Sequence, residues 1–224
     1  MVYTAPRPHP LRPLSSRPAA PPISRLMVKV LLVIVIVGAA VWAGTSRERD
    51  KKTEHRLAVI ASEIAARPVG VNCQSFAAEL IDVTSDVGRV EFDRGRPSDV
   101  TKLKRKVCGA LERLRHDAAS PDLACVDSGT RCPQRVHAEI WAATVLAHES
   151  MHLAGEIRED IAECKAVQVT PLVAQRLGVS EELARAIGGY SWRYVYPEAR
   201  DDYRSLDCFS GGPYDLRPAD PRWP

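Results

Sequence analysis

The chain has 224 residues, 45% of them apolar, which suits one modest domain with appendages and a folded portion of about 150 to 170 residues able to bury a core. Its formal net charge is +3, yet residues 1–29 hold Arg7, Arg12, Arg17, Arg25 and Lys29 with no acid. Taking these five from the 31 basic residues leaves 26 against 28 acidic ones, so the rest of the chain is near −2 and no folded basic face for nucleic acid is expected.

In chain order, residues 1–25 form a tail with Pro6, Pro8, Pro10, Pro13, Pro18, Pro21 and Pro22 among small and basic residues. Such a composition cannot pack a core and predicts a disordered or locally polyproline-like segment. Residues 26–43 follow as an apolar stretch broken only by Lys29, with residues 30–37 wholly aliphatic. At about 1.5 Å per residue the stretch spans about 27 Å, just enough for the bilayer hydrocarbon, so one transmembrane helix is expected. A cleaved signal peptide is the competing reading, because Val41-Trp42-Ala43 resembles a small-residue cleavage site; Trp42 suits an interfacial anchor better.

Positive charge does not orient the span, because the basic residues before it are balanced by Arg47, Arg49, Lys51, Lys52 and Arg56 after it. Cysteines break the tie. Cys73, Cys108, Cys125, Cys132, Cys164 and Cys208 all follow the span, and an even number in so small a domain suits disulfides in an oxidising compartment. The expectation is a single-pass cell-membrane protein whose C-terminal domain lies outside the cytoplasm. Cys125 and Cys132 bracket a short loop and are the natural local pair, while the other pairings stay open; six reduced core thiols in a cytoplasmic domain are the alternative.

Residues 44–68 read as a helical stalk or linker, with Leu57, Ile60 and Ile64 on one stripe and Pro68 ending it. The domain proper is expected over residues 69–224. Asn72 is placed to cap a short helix over residues 72–81, residues 88–93 alternate as a strand does, and Gly95-Arg96-Pro97 closes that strand as a turn. Ser98 then caps an expected helix over residues 98–116, with Leu103, Val107, Ala110, Leu111 and Leu114 on its buried face. After a loop over residues 119–132, a helix starts at Pro133 or Val136 and runs to Ala154, where Gly155 offers a left-handed stop. A second helix is expected over residues 157–169, a third restarting at Thr170-Pro171 and reaching Leu177, and a fourth capped by Ser180 and ending at Gly188-Gly189. The last 35 residues read as loop. The expected fold is mainly α: a small helical domain with at most a short strand or hairpin.

The chemistry sits at His148-Glu149-Ser150-Met151-His152, an HExxH pattern. Two histidines four apart stand about 40° from each other around an α-helix and one turn apart along it, so both rings can reach one ion. Glu149 then falls beside that ion. Every residue around the three from Val145 to Ala154 is uncharged, as a buried metal-bearing helix requires and a solvated one would not show. A zinc site needs at least three protein ligands, and no histidine follows His152; His137, eleven residues before His148, is about 16 Å away along the helix axis. Carboxylates can serve instead, since Glu159 and Glu163 lie one turn apart on the next helix. Apart from the motif, that acid pair would read as a solvated helix face.

Glu159-Asp160-Ile161-Ala162-Glu163-Cys164-Lys165-Ala166 resembles the E-x-x-A-D-x-x-A signature of gluzincin peptidases, with Glu163 in place of the second acid. The resemblance implies Glu159 as the third Zn2+ ligand and Glu163 as its support in contact with a histidine, with Glu163 as ligand the alternative. His152-x-x-Gly155 resembles the metzincin turn, but Arg158 stands where metzincins have histidine. More widely, residues 148–168, Leu177-Gly178 and the ending from Tyr203 with Cys208, Gly211-Gly212 and Asp215-Leu216 are similar to small membrane-anchored, zincin-like HExxH proteins of actinobacteria. That likeness implies a zincin-like domain and a zinc metallopeptidase: metal-bound water is deprotonated by Glu149 and attacks a peptide or amide carbonyl of an envelope substrate. The oxyanion needs a further donor, for which Tyr194 and Tyr196 are the candidates, although packing against the core is the simpler role for both. The alternative function is a catalytically silent zincin-like domain that binds metal or an envelope partner.

Overall fold

Helix α1 covers Arg25–Ala65 and stops where Ala66 turns left-handed at φ 52° ahead of Arg67, which Pro68 biases away from helix. The computed structural model describes residues 25–75, 78 and 86–219, and it divides into two compact units, Met1–Thr45 and Ser46–Pro224. In the first unit the side chains of Met27, Val28 and residues 30–37 are exposed. Among the described residues no helix is long and apolar enough to cross a membrane. The aliphatic run at 30–37 covers about 12 Å against the ~30 Å of bilayer hydrocarbon. Within the expected span the side chains at 26, 29 and 39–43 lie outside the described ones, as do residues 1–24 of the expected disordered tail.

The second unit begins at Ser46, inside α1, which is helical to Ala65. Leu57, Ile60, Ala61 and Ala65 are buried in the core, and at its edge Arg56 bonds Glu112 and Arg176 bonds Glu63. The expected helix at 72–81 is displaced at its start by strand β1, Gly70–Cys73; residues 76–77 and 79–85 lie outside the described ones. Strand β2, Gly88–Asp93, falls where alternation placed it, and Arg94 (φ 50°) and Gly95 (φ 78°) form a two-residue turn of the kind that joins twisted hairpin strands.

That turn overturns the helix expected from Ser98. Residues Arg96–Leu103 are strand β3, in which buried Thr101 and Leu103 alternate with exposed Val100 and Lys102. β3 is the middle strand of a three-stranded sheet, antiparallel to β2 and parallel to β1 in the order β1-β3-β2. The helical stripe read from Leu103 onward is real but belongs to helix α2, Arg105–His116, which buries Val107, Ala110, Leu111 and Leu114. The fold is thus mainly helical as expected, with a mixed sheet larger than a hairpin.

Helix α3, Gln134–Leu153, is buried over most of its length, in keeping with its uncharged second half. Helix α4, Glu159–Arg176, runs unbroken through Pro171, so the expected restart at Thr170-Pro171 does not occur. Pro171 forfeits one ladder bond, and its ring packs against helix α5, Glu181–Tyr190, at Gly188, where a Cβ would lie 2.6 Å from the Pro171 Cγ. Ser180 caps α5 as expected, accepting from the Leu183 amide. The chain then continues through one π turn, Ser191–Val195, and two 3-10 turns rather than as plain loop. All six cysteines pair, as Cys73–Cys108, Cys125–Cys132 and Cys164–Cys208, so the local pair expected from spacing is present.

Candidate metal centre

The end of α3 sets the histidines. Gly155 takes φ 103°, its amide donates to the His152 carbonyl, and the Glu156 amide reaches back to Met151 at 3.0 Å. This is the reciprocal closure that a left-handed glycine permits. It also swings the Glu156 carbonyl under His152, whose Nδ1–H donates to it at 2.6 Å. Lys165 holds the turn from the far side through an ion pair with the Glu156 carboxylate. His148 is oriented in the same manner by Glu163, which accepts from Nδ1 at 2.8 Å. With both Nδ1 atoms acting as donors, the Nε2 lone pairs are the free ones.

Those lone pairs meet a third acceptor. The Nε2 atoms of His148 and His152 are 2.9 Å apart, and the Glu159 Oε2 is 3.0 Å from the first and 3.1 Å from the second. Glu159 is the first residue of α4, where its charge also complements the helix dipole. Three inward acceptors at this separation repel one another unless a cation lies among them. Two ligands at about 2.0 Å from a tetrahedral ion are about 3.3 Å apart, so the triangle is close to the size a zinc ion requires. The chain therefore fits a metal: His148, His152 and Glu159 are the cluster of candidate ligand atoms among the described residues.

The electrostatics state the same demand for positive charge. Burial disfavours a charged His148, yet its hydrogen bonds to Glu159 and Glu163 outweigh burial and push its pKa up to about 10. Burial would raise Glu159, but its contacts with both histidines hold it well below the usual carboxylate range. A proton on His148 stands in for the ion.

Glu149 lies at the foot of the cleft, only 4% exposed. Its Oε2 accepts from the Thr101 hydroxyl of β3 at 3.2 Å, and β2 passes so close that a Cβ on Gly88 would sit 2.4 Å from its Oε1. Burial raises the Glu149 pKa against the opposing pull of the two histidines and Thr101. The ladder slips between Val90 and Phe92, and Phe92 places its ring edge-on to His152, with centroids 6.0 Å apart. The sheet is thus the second wall of the site, which a nearly all-helical reading lacked.

A cavity of about 260 Å³ opens over this floor, lined among others by Gly88, Trp141, Val145, His148, Glu149 and Tyr203. Tyr194 and Tyr196, the expected oxyanion donors, do not line it. The Tyr194 hydroxyl donates to the Gly129 carbonyl at 2.6 Å, while Tyr196 stacks on Trp192 and its hydroxyl accepts from the Ser205 amide. Both serve packing of the arm after α5. Tyr203 lines it instead, its ring stacked on His148 at 5.3 Å, Arg200 above its face, and its hydroxyl in hydrogen-bonding reach of Glu159. Burial and the Glu159 charge together raise its pKa, so it stays a donor. No local pattern marks Tyr203. His137 is accounted for by the Tyr190 hydroxyl at 3.0 Å, and Arg158 by Asp160. No protein-family model, curated protein or solved structure matches the chain.

Proposed function

We propose that this protein is a membrane-anchored, zinc-dependent metallopeptidase-like hydrolase acting on a peptide or protein at the cell envelope. The observation that carries the reading is the convergence of the His148, His152 and Glu159 acceptors, with His148 and the buried carboxylate of Glu149 both lining an open cleft. Zinc is the ion that two imidazoles and one carboxylate suit best, and bound there it supplies a Lewis acid and a water acidic near neutral pH. Around it, Glu149 takes the proton, Glu163 and the Glu156 carbonyl keep both imidazoles aimed, and Tyr203 donates to the oxygen that gains charge. A gluzincin-like site agrees with Glu159 as ligand and Glu163 behind His148.

The envelope location is supported by the three disulfides, which persist in an oxidising compartment, and by the apolar sequence of residues 26–43 as an anchor. A second reading, metal binding without turnover, is favoured by one observation: Glu149 is bonded to Thr101 and pressed against Gly88, a fixed position for a base that must move a proton.

Elemental analysis of the purified full chain separates the two. About one zinc per chain is expected for wild type and Glu149→Gln and none for His152→Ala, with hydrolysis of a peptide library lost in Glu149→Gln. Metal-free wild type sinks both readings, and equal behaviour of wild type and Glu149→Gln on every peptide leaves only the binding role.

A further inference from the structure

Within the second unit, remote in sequence from the metal motif, Lys51, Lys52, His55, Arg56, Val59 and Ile60 of α1 line a cavity of about 600 Å³ together with Arg176 at the end of α4. We propose that this cleft binds the phosphate of an anionic phospholipid headgroup. The α1 positions recur at alternating gaps of one and three, so they share one side of the helix. Lys52 and Arg56 are like charges at i,i+4, and Glu112 pairs with Arg56. Among the described residues no acid lines the cavity.

The nearby acids leave cationic capacity over. Arg56 uses Nη1 on Glu112, and Arg176 uses Nε and Nη2 on Glu63, so each guanidinium keeps further donors. Lys51 lies 3.7 Å from Glu48 with both side chains about 70% exposed, a pair of little strength. Val59 and Ile60 give the cavity an apolar part that a free inorganic anion does not need but a glycerol or acyl portion does. The same chain displays exposed apolar side chains at residues 27, 28 and 30–37, a surface fitted to lipid. A cluster of basic residues on a helix beside apolar sequence is the pattern that recognises anionic headgroups. The inference is independent of the metal and does not require that residues 26–43 span the bilayer.

The test is amine modification of the full chain in neutral detergent, quantified at each lysine by mass spectrometry. Dihexanoyl phosphatidylglycerol, dihexanoyl phosphatidylcholine and inorganic phosphate are compared at one concentration. Phosphatidylglycerol is expected to slow modification of Lys51 and Lys52 about fivefold, the other two less than about twofold. Lys102, paired with Glu91 on the sheet, is the control and stays unchanged. In Arg176→Gln and, separately, His55→Gln, the protection of Lys51 falls to less than about twofold. The proposal is overturned by equal modification in all conditions, by phosphate protecting as well as the lipid, by Lys102 being protected to the same degree, or by both variants keeping full protection.

Discussion

Glu163 touches no candidate ligand atom of the ion, yet its contact with the His148 Nδ1 decides which nitrogen faces the site. Removing such an outer partner costs about 10- to 100-fold in metal affinity. Glu163→Ala is therefore expected to bind zinc about 10- to 100-fold more weakly in chelator competition, and Glu159→Ala more weakly still. The reverse order would exchange the two roles and restore Glu163 as the ligand. At this scale the sequence is most informative where the geometry is local. His148, Glu149 and His152 are read directly because one helix spaces them. Tyr203 is invisible because its approach to His148 depends on the course of the arm after α5, which no spacing encodes.

Among the elements, the approach of β2 to α3 is the closest to the chemistry. Gly88 pairs with Leu103 and lies against the Glu149 carboxylate with no room for a methyl group. Gly88→Ala must push that side chain away from Thr101, since the strand is fixed in its ladder and the carboxylate is the softer party. The expected result is hydrolysis reduced at least about tenfold with zinc content unchanged. A fully active Gly88→Ala would show that the Thr101-bonded position of Glu149 is not the working one. The misplaced helix at 98–116 has its cause here as well. Apolar residues from Leu103 to Leu114 carry a true helical period, but the positive-φ turn at Arg94-Gly95 sends the chain back along β2 as a strand through Leu103. Helix propensity yields when a strand finds two neighbours. Pro171 teaches the converse, since packing against Gly188 keeps α4 continuous where the sequence suggests a break.

For the molecule as a whole, the three disulfides close sequence separations of 35, 7 and 44 residues. Chain entropy makes the longest worth about 4 kcal/mol and the shortest about 2 kcal/mol. Denaturant unfolding should therefore show Cys164→Ser/Cys208→Ser losing about twice as much stability as Cys125→Ser/Cys132→Ser. The Cys164 bridge also ties the arm bearing Tyr203 to the helix bearing Glu159 and Glu163, aided by Gln168, which donates to the Tyr214 carbonyl and accepts from the Leu216 amide. Loss of that pair is expected to impair hydrolysis as well as stability, whereas loss of Cys125–Cys132 leaves the cleft in place; equal effects on activity would sever the arm from the site.

By itself the sequence determined the HExxH helix and its glycine stop, the acidic helix that follows, strand β2, the pairing of Cys125 with Cys132 and the mainly helical class, because each rests on periodicity or spacing within a few residues. Only the tertiary structure decided that β3 replaces a helix, that residues 57–65 enter the core, that Glu159 completes the acceptor triangle with Glu163 behind it, and that Tyr203 rather than Tyr194 or Tyr196 faces the cleft. These depend on contacts between residues far apart in the chain, where packing and pairing free energy outweighs local preference.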